Sequence, residues 1–262
     1  MTLSKKELLK CCSKPKEIEP LIDQANLLIK TWKSIWSPFI PAPIREEIIS
    51  LIDPLDDLCW KCDGGHPGAE RQRMQCLRSS SLNSCLAENA PIRGVLIEGN
   101  FLFDKAKPSD FRESLETMGV SSDQLGDIWT IKDRGAQMLC TPEAALKLNG
   151  SLGIVRNIEI RCEELDPSRL QLPPKRTAKN FFTVEASTRI DAVASAGFGL
   201  SRAKIVKQIQ SGLLRLNWAT VKQGSKGVNP GDQVHLEGKG SLKVLTIEET
   251  KRKRWKIELL RR

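Results

Sequence analysis

The sequence predicts an α+β protein, and three observations predict it. Apolar residues recur every three or four positions near the N-terminus, strand and helix signals alternate through the middle, and positive charge gathers towards the end. From Lys175 to Arg262 there are 19 Lys/Arg against 7 Asp/Glu, a surplus of +12, whereas residues 1–174 hold 22 against 25 and carry −3, so one segment supplies the excess of a +9 chain. A cationic module on a slightly acidic body suits docking on a polyanion, because each phosphate neutralised releases condensed counterions. Nucleic acid is the first partner class to consider.

At 262 residues, 40% hydrophobic and 28% charged, the chain has the composition of a soluble globular protein large enough for two or three domains. No apolar run reaches membrane-spanning length, and Met1-Thr2-Leu3-Ser4-Lys5-Lys6-Glu7 lacks the features of a secretory signal. Acids and bases mix in the early residues, which favours a bacterial cytoplasm over import into an organelle such as a plastid. Eight cysteines (Cys11, Cys12, Cys59, Cys62, Cys76, Cys85, Cys140 and Cys162) are too sparse for a disulfide scaffold and are read as thiols. Cys59 and Cys62 have the gap of a zinc knuckle, with His66, Cys76 and Cys85 downstream, but the second close pair that structural zinc sites use is missing. No cofactor and no metal is expected, with metal at Cys59/Cys62 left open.

Residues 1–90 read as a helical domain. Ile18, Leu21, Ile22, Ala25, Leu28, Ile29, Trp32 and Trp36 make one stripe that predicts a helix over Ile18 to Trp36, ended by Pro38, Pro41 and Pro43. A second helix follows across Ile44 to Leu51, and a Gly-rich turn at residues 63–68 precedes a charged helix opening at Ala69-Glu70-Arg71. Residues 91–168 show strands at Val95 to Phe103, Asp127 to Lys132, Gln137 to Cys140 and Val155 to Cys162. Helices fall at Ser109 to Met118 and at Pro142 to Leu148, the latter capped by Thr141. The order β-α-β-β-α-β is ferredoxin-like, the arrangement of RNA-recognition modules, yet Ala136 to Cys140 offers no aromatic for base stacking. Residues 169–181, with Pro173 and Pro174, read as a linker.

Residues 182–262 carry the sharpest pattern. Short helices are expected at Thr188 to Ala196 and from Ser201-Arg202 onward, the second with Ile205, Val206 and Ile209 on one arc and Lys204, Lys207, Gln208 and Ser211 on the other. Gly212 closes it, two short strands meet near Asn217-Trp218, and Val228-Asn229-Pro230-Gly231-Asp232 turns the chain into a strand over Gln233 to Glu237. Lys251-Arg252-Lys253-Arg254, followed by Trp255, forms either a basic tip that reaches phosphates and stacks on a base or a solvated turn.

The landmarks Arg189-Ile190-Asp191, Ser201-Arg202, Gly212, Leu214-Arg215-Leu216-Asn217 and Val228 to Asp232 resemble the S4-type RNA-binding domain. The resemblance implies a surface for structured RNA, ribosomal or transfer, made of Arg189, Asp191, Ser201, Arg202, Lys204, Lys207, Gln208, Gly212, Arg215 and Asn217. Arg forks onto phosphate oxygens, and a helix N-terminus accepts an anion. Asp63-Gly64-Gly65-His66-Pro67-Gly68-Ala69-Glu70-Arg71-Gln72-Arg73, Gly99-Asn100-Phe101, Gly126-Asp127-Ile128 and Gly238-Lys239-Gly240 are similar to the YlmH family, whose cyanobacterial and plastid members are labelled photosystem II S4 domain proteins. That similarity implies a non-catalytic RNA-binding protein of the large ribosomal subunit, handling stalled peptidyl-tRNA complexes, and through the label a photosystem II assembly or regulatory factor as the alternative. Pro108 to Glu113 departs from the family's His-Arg-Asp-Phe-Leu-Gly, keeping Asp110 and Phe111. With only His66 and His235 as candidate bases and no partner for either identifiable from sequence, no nucleophilic or RNA-modifying active site is expected. Oligomeric state is not encoded in any motif.

Overall fold

The computed structural model describes residues 4–10, 12, 14–52, 57–78, 89–173, 178–217, 219–236 and 239–261, and the chain divides into two compact units, Met1–Pro174 and Lys175–Arg262. Cys11, Cys85, residues 174–177 of the expected linker, Trp218, Glu237 and Gly238 lie outside the described residues.

The first unit opens with α1 (Lys5–Lys10) and α2 (Pro15–Thr31), whose Ile18, Leu21, Ile22, Ala25 and Leu28 are buried as the apolar stripe requires. The helix ends five residues before Trp36, because Trp32 takes the left-handed conformation at φ 61° and its N–H donates to the Leu28 carbonyl. Trp36 instead begins β1 (Trp36–Ile40), followed by α3 (Ala42–Ile52), β2 (Leu58–Asp63) and β3 (Gln72–Arg78). The expectation of an all-helical first 90 residues is therefore corrected. The helices pack on a three-stranded antiparallel sheet in the order β1-β3-β2. Pro38, read as a helix stop, sits where the β1–β3 register is interrupted on the edge strand, a place that tolerates a residue with no N–H to donate. The helix expected at Ala69-Glu70-Arg71 is also absent. That segment leads into β3, whose Met74 and Cys76 point into the core with α2 and α3.

The rest of this unit is the ferredoxin-like arrangement, with one addition. β4 (Arg93–Glu98), α4 (Pro108–Thr117), β5 (Leu125–Thr130), β6 (Gly135–Cys140), α5 (Pro142–Leu148) and the hairpin β7 (Leu152–Val155)–β8 (Ile158–Leu165) form an antiparallel sheet ordered β5-β6-β4-β8-β7. The expected closing strand is β8. The extra edge strand β7 arises because Arg156, at φ 56°, turns the chain back where unbroken strand was expected. Thr141 caps α5, its hydroxyl accepting the Ala144 N–H at 3.3 Å.

Alternation sends Val95, Ile97, Ala136, Met138, Cys140, Ile160 and Cys162 to the face covered by the helices, with Phe111, Leu115 and Leu148 opposite them. The other face is not free. Over β5, β6 and β4 it is capped by Phe39, Ala90, Ile92 and Leu170 around Leu139, with Trp36, Trp129 and Leu165 at the margin. Leu170, from the stretch expected to be linker, lies so close to Gly94 that a Cβ there would stand 2.8 Å from its methyl. Next to it the Gln171 N–H donates to Gln137 Oε1 at 2.7 Å, and the Trp129 indole donates to the Gln171 carbonyl at 2.9 Å. The part left open, across β8 and β7, exposes Glu159, Arg161, Glu163, Leu152 and Ile154, with Glu98 beside them on β4. Three carboxylates against one guanidinium make poor ground for phosphate.

In the second unit, β9 (Lys179–Glu185), α6 (Ile190–Phe198), α7 (Arg202–Gln210), β10 (Leu214–Leu216), β11 (Ala219–Thr220), β12 (Gln233–Leu236), β13 (Gly240–Glu249) and β14 (Trp255–Arg261) form two helices on a six-stranded antiparallel sheet ordered β11-β10-β12-β13-β14-β9. Ile190, Val193, Ala194, Phe198, Ile205 and Ile209 join Val234, Leu242, Val244, Ile257 and Leu259 in one core. Gly197 lets α6 lie against β13, since a Cβ there would come within 2.2 Å of Leu242.

Truncating the cap on the middle sheet is expected to be costly. Leu170→Ala should lower the stability of the first unit by about 2–3 kcal/mol in urea unfolding and speed hydrogen exchange at the Gln171 amide. An unchanged exchange rate would show that the cap is held by other contacts.

Candidate nucleic-acid interface

The second unit sorts its charges by direction. In α7, Ile205 and Ile209 face the core while Arg202, Lys204, Val206 and Lys207 are exposed, so the helix presents cations outward as its 3.6-residue period demands. Ser201 caps the helix, its Oγ accepting the Lys204 N–H at 3.3 Å, a bond that orients the first turn and its cations. Gly212 follows the helix in the left-handed conformation at φ 70°, and the Leu213 N–H reaches the Gln208 carbonyl at 3.0 Å, a helix ending that favours glycine. Gln208 and Arg215 are half-buried on the flank of this face.

Residues 188–236 contain two carboxylates, and both are engaged from within. Asp191 is 6% exposed and accepts the Arg189 guanidinium at 3.1 Å (Nε to Oδ1) and 2.9 Å (Nη2 to Oδ2), leaving Arg189 itself exposed. Asp232 accepts the Asn217 side-chain amide and the Asn229 backbone N–H, each at 2.8 Å. Among the described residues, no carboxylate forms an ion pair with Arg202, Lys204 or Lys207. The ledge is neither packed away nor neutralised.

Two of the expected contact residues have other work. Asp191 points inward and holds Arg189 in one geometry, and an anionic group in that place repels phosphate. Asn217, at φ 48° and exposed, donates to Asp232 and accepts the Gln233 N–H, each at 2.8 Å, so its amide ties the end of β10 to the start of β12. Lys222 and Lys226, outside the residues expected from the sequence, are two further exposed cations. The loop carrying them wraps the start of α6, its Gly224 and Lys226 carbonyls accepting the Asp191 and Ile190 N–H groups at 3.1 and 2.7 Å, and both side chains are exposed. Two lysines in a Gly/Ser-containing stretch were the available signal.

Comparison with known proteins agrees with this geometry. Residues 188–234 match the S4 domain family, and residues 13–80 match the N-terminal domain family of YlmH. The chain thus carries one segment similar to the YlmH N-terminal domain and one similar to the S4 domain. It is 27% identical over 216 residues, 82% of each chain, to ribosome-associated protein quality control protein P2 of Bacillus subtilis (strain 168). It is also similar to the solved structure of cell division protein ylmH from Streptococcus pneumoniae, at 16% identity and a TM-score of 0.48 over 59% of this chain and 92% of that one. The S4 match runs from just before α6 through α7, β10 and β11 into β12, the elements that carry the outward cations.

The YlmH-like motif at residues 63–73 is placed in the first unit, where it fastens the N-terminal sheet to the ferredoxin-like one. Asp127, in β5, accepts the N–H groups of Glu70 and Arg71 at 2.8 and 2.9 Å and His66 Nε2 at 3.2 Å. Burial pushes this carboxyl up, but the bonds from His66, Arg71 and Glu70 outweigh it and hold it below the ordinary range. Arg71 donates to the Leu125, Ser122 and Phe39 carbonyls, and Arg112 donates to Gly126 at 2.7 Å, its pKa drawn down to about 10 by burial. His66 resembles half of a catalytic dyad, but its Nδ1 donates to the Pro67 carbonyl at 3.2 Å while Nε2 donates to a carboxylate. Both ring nitrogens are therefore engaged within the fold. Cys62 and Cys76 are protonated thiols, pushed up by burial to about 11 and 12, and among the described residues no group of His, Cys, Asp and Glu forms a metal-ligating cluster. Trp255 is half-buried, packed against the core of its unit.

The fastening predicts a pH dependence. The Asp127 hydrogen bond raises the His66 pKa, so its contribution to stability is fully present below the ordinary value of 6.5 and is lost as pH rises through the raised folded value. The stability difference between the parent and His66→Gln should therefore be largest near pH 5–6 and fade above neutrality. A difference that is flat with pH would remove the imidazolium from the account. Asp127→Ala strands two backbone N–H groups and should cost about 2–4 kcal/mol at neutral pH, read as a lowered urea midpoint.

Proposed function

We propose that this chain is a non-catalytic RNA-binding protein that docks on structured RNA, ribosomal or transfer, through α6, α7 and the β10–β11 hairpin. The observation that carries the reading is the outward face of Arg202, Lys204 and Lys207, with both carboxylates of the matched segment engaged internally. Arg189, Lys222 and Lys226 extend the cationic surface around the start of α6. Arg215, Gln208 and Gly212 flank it, while Ser201, Asp191 and Asn217 position it.

The name of the Bacillus subtilis relative supports placing this docking on the ribosome, in protein quality control. Within that setting the further proposal is that the RNA belongs to a large subunit holding a stalled peptidyl-tRNA. A protein that works there needs grip and orientation on folded RNA, which phosphate-directed cations on rigid helices provide without a reacting group. The His66–Asp127 pair, whose ring nitrogens are both engaged, supports the non-catalytic reading. Among the described residues no helix is long and apolar enough to cross a membrane.

The test is co-sedimentation with purified ribosomes across a salt series. Binding should weaken steeply with salt, and Arg202→Glu with Lys204→Glu should lower affinity at least roughly tenfold while flattening the slope of log K against log salt by about 2. Unchanged binding in that variant would sink the proposal. Asp191→Asn, which keeps the side chain's shape but frees Arg189, should weaken binding less, by roughly threefold, through lost positioning.

A further inference from the structure

We infer that the β13–β14 hairpin tip is a second RNA-binding site, separate from the α7 ledge, that takes backbone phosphates of the same RNA. The inference rests on the RNA-docking reading above and adds a site outside the segment matched to the S4 domain, which ends at residue 234.

The tip is Lys251-Arg252-Lys253-Arg254, four consecutive cations, all exposed. Its backbone is fixed. The Thr250 N–H donates to the Arg254 carbonyl at 2.7 Å, the Lys253 N–H donates to the Thr250 carbonyl at 2.9 Å, and the Arg254 N–H reaches Thr250 Oγ1 at 3.1 Å. Lys253 holds a left-handed φ of 52°, and Trp255 anchors the base of the turn against the core. Among the described residues, none of the four forms an ion pair. The nearest carboxylates in sequence are Glu248 and Glu249. Glu248 is opposite Lys256 and Glu249 opposite Trp255 across one ladder, and Glu185 is opposite Trp255 across the other, so the four tip cations with Lys256 still outnumber these three carboxylates. Four like charges on a loop with few ways to relax repel one another, and an anion removes that repulsion with little ordering left to do.

Register places this tip at the α6 end of the sheet. Trp255 pairs with Glu185 at the end of β9, and Arg189 follows four residues later. Four residues of chain, one inter-strand step and one residue of β14 put the Arg254 and Arg189 backbones within about 25 Å of each other. That is close enough for one folded RNA to touch both.

The experiment uses the full chain and a 30-nucleotide RNA stem-loop, with affinity measured by fluorescence anisotropy over a salt series. Replacing Lys251, Arg252, Lys253 and Arg254 together by Gln should lower low-salt affinity at least roughly tenfold and reduce the salt slope by about 2–3, independently of the loss in Arg202→Glu with Lys204→Glu. The double replacement Lys251→Arg with Lys253→Arg should keep binding, which separates charge from a folding defect. If the Gln variant keeps the parent slope while the α7 variant loses affinity, the tip is a solvated turn and only this inference falls. If the α7 variant is unaffected and the Gln variant loses affinity, the second site stands and the ledge reading falls. Tighter binding of the parent to vesicles containing 30% phosphatidylglycerol than to the stem-loop, abolished in the Gln variant, would overturn the assignment in favour of an anionic membrane surface.

Discussion

The structure turns on carboxylates being satisfied from inside. Asp127 gathers two backbone N–H groups and a histidine, Asp191 takes the fork of Arg189, and Asp232 takes the amides of a turn. A carboxylate that accepts several donors is held ionised and oriented, so each becomes a fixed point from which neighbouring segments are placed. In the second unit there is a further consequence. With Asp191 buried and paired to Arg189, and among the described residues no carboxylate paired with Arg202, Lys204 or Lys207, the cations of α7 face outward unpaired. Fold stability and an unbalanced surface potential are two results of one arrangement.

The RNA-recognition-like sheet in the middle of the chain does not present the open aromatic face that base stacking uses. A module of that kind needs the sheet face opposite its helices open and furnished with aromatics. Here most of that face lies under Phe39, Ile92 and Leu170, with Gln137 bonded to Gln171, and the uncovered remainder carries Glu98, Glu159 and Glu163. The architecture is reused as a platform on which the N-terminal helices and three-stranded sheet are mounted. Arg71, Arg73 and Arg112 make the joint by donating to the Leu125, Ser37 and Gly126 carbonyls, at the register interruptions of β5 and β1, and to the Pro91 carbonyl. In these places arginine acts as mortar for irregular backbone, and counting it towards RNA binding would be an error.

Local patterns were legible in the sequence wherever one element decides its own state. The α2 stripe, the Thr141 cap, the ferredoxin-like order and the turns at Gly212 and Asn229–Asp232 were readable because periodicity and caps act over a few residues. What escaped was decided by distant partners. Trp36 to Ile40 resembles the tail of a helix followed by prolines, and it becomes a strand because β3 accepts it as an edge. Glu70 and Arg71 suit the first turn of a helix, but their N–H groups are taken by Asp127, over fifty residues away. The site divided in the same way. Outward cations on α7 followed from helical phase, whereas the inward role of Asp191 depended on Arg189 meeting a buried carboxylate and the Asn217 bonds depended on Asp232 and Gln233, fifteen and sixteen residues on. A residue shared by a family's motif is as readily a positioning group as a contact, and composition does not separate the two.

Two rigid cationic anchors on one unit also bear on selectivity. A single basic patch grips any polyanion with an affinity set by its charge and the salt concentration. Anchors held at a fixed separation by β13, β14 and β9 reward an RNA whose phosphates fall at that separation, and a flexible strand must give up conformational freedom to satisfy both. The second engagement is then intramolecular, and its strength depends on shape. Discrimination for folded over extended RNA can therefore arise without any side chain reading a base edge. This agrees with Trp255 being committed to the core of its unit and with a ledge made of lysine and arginine.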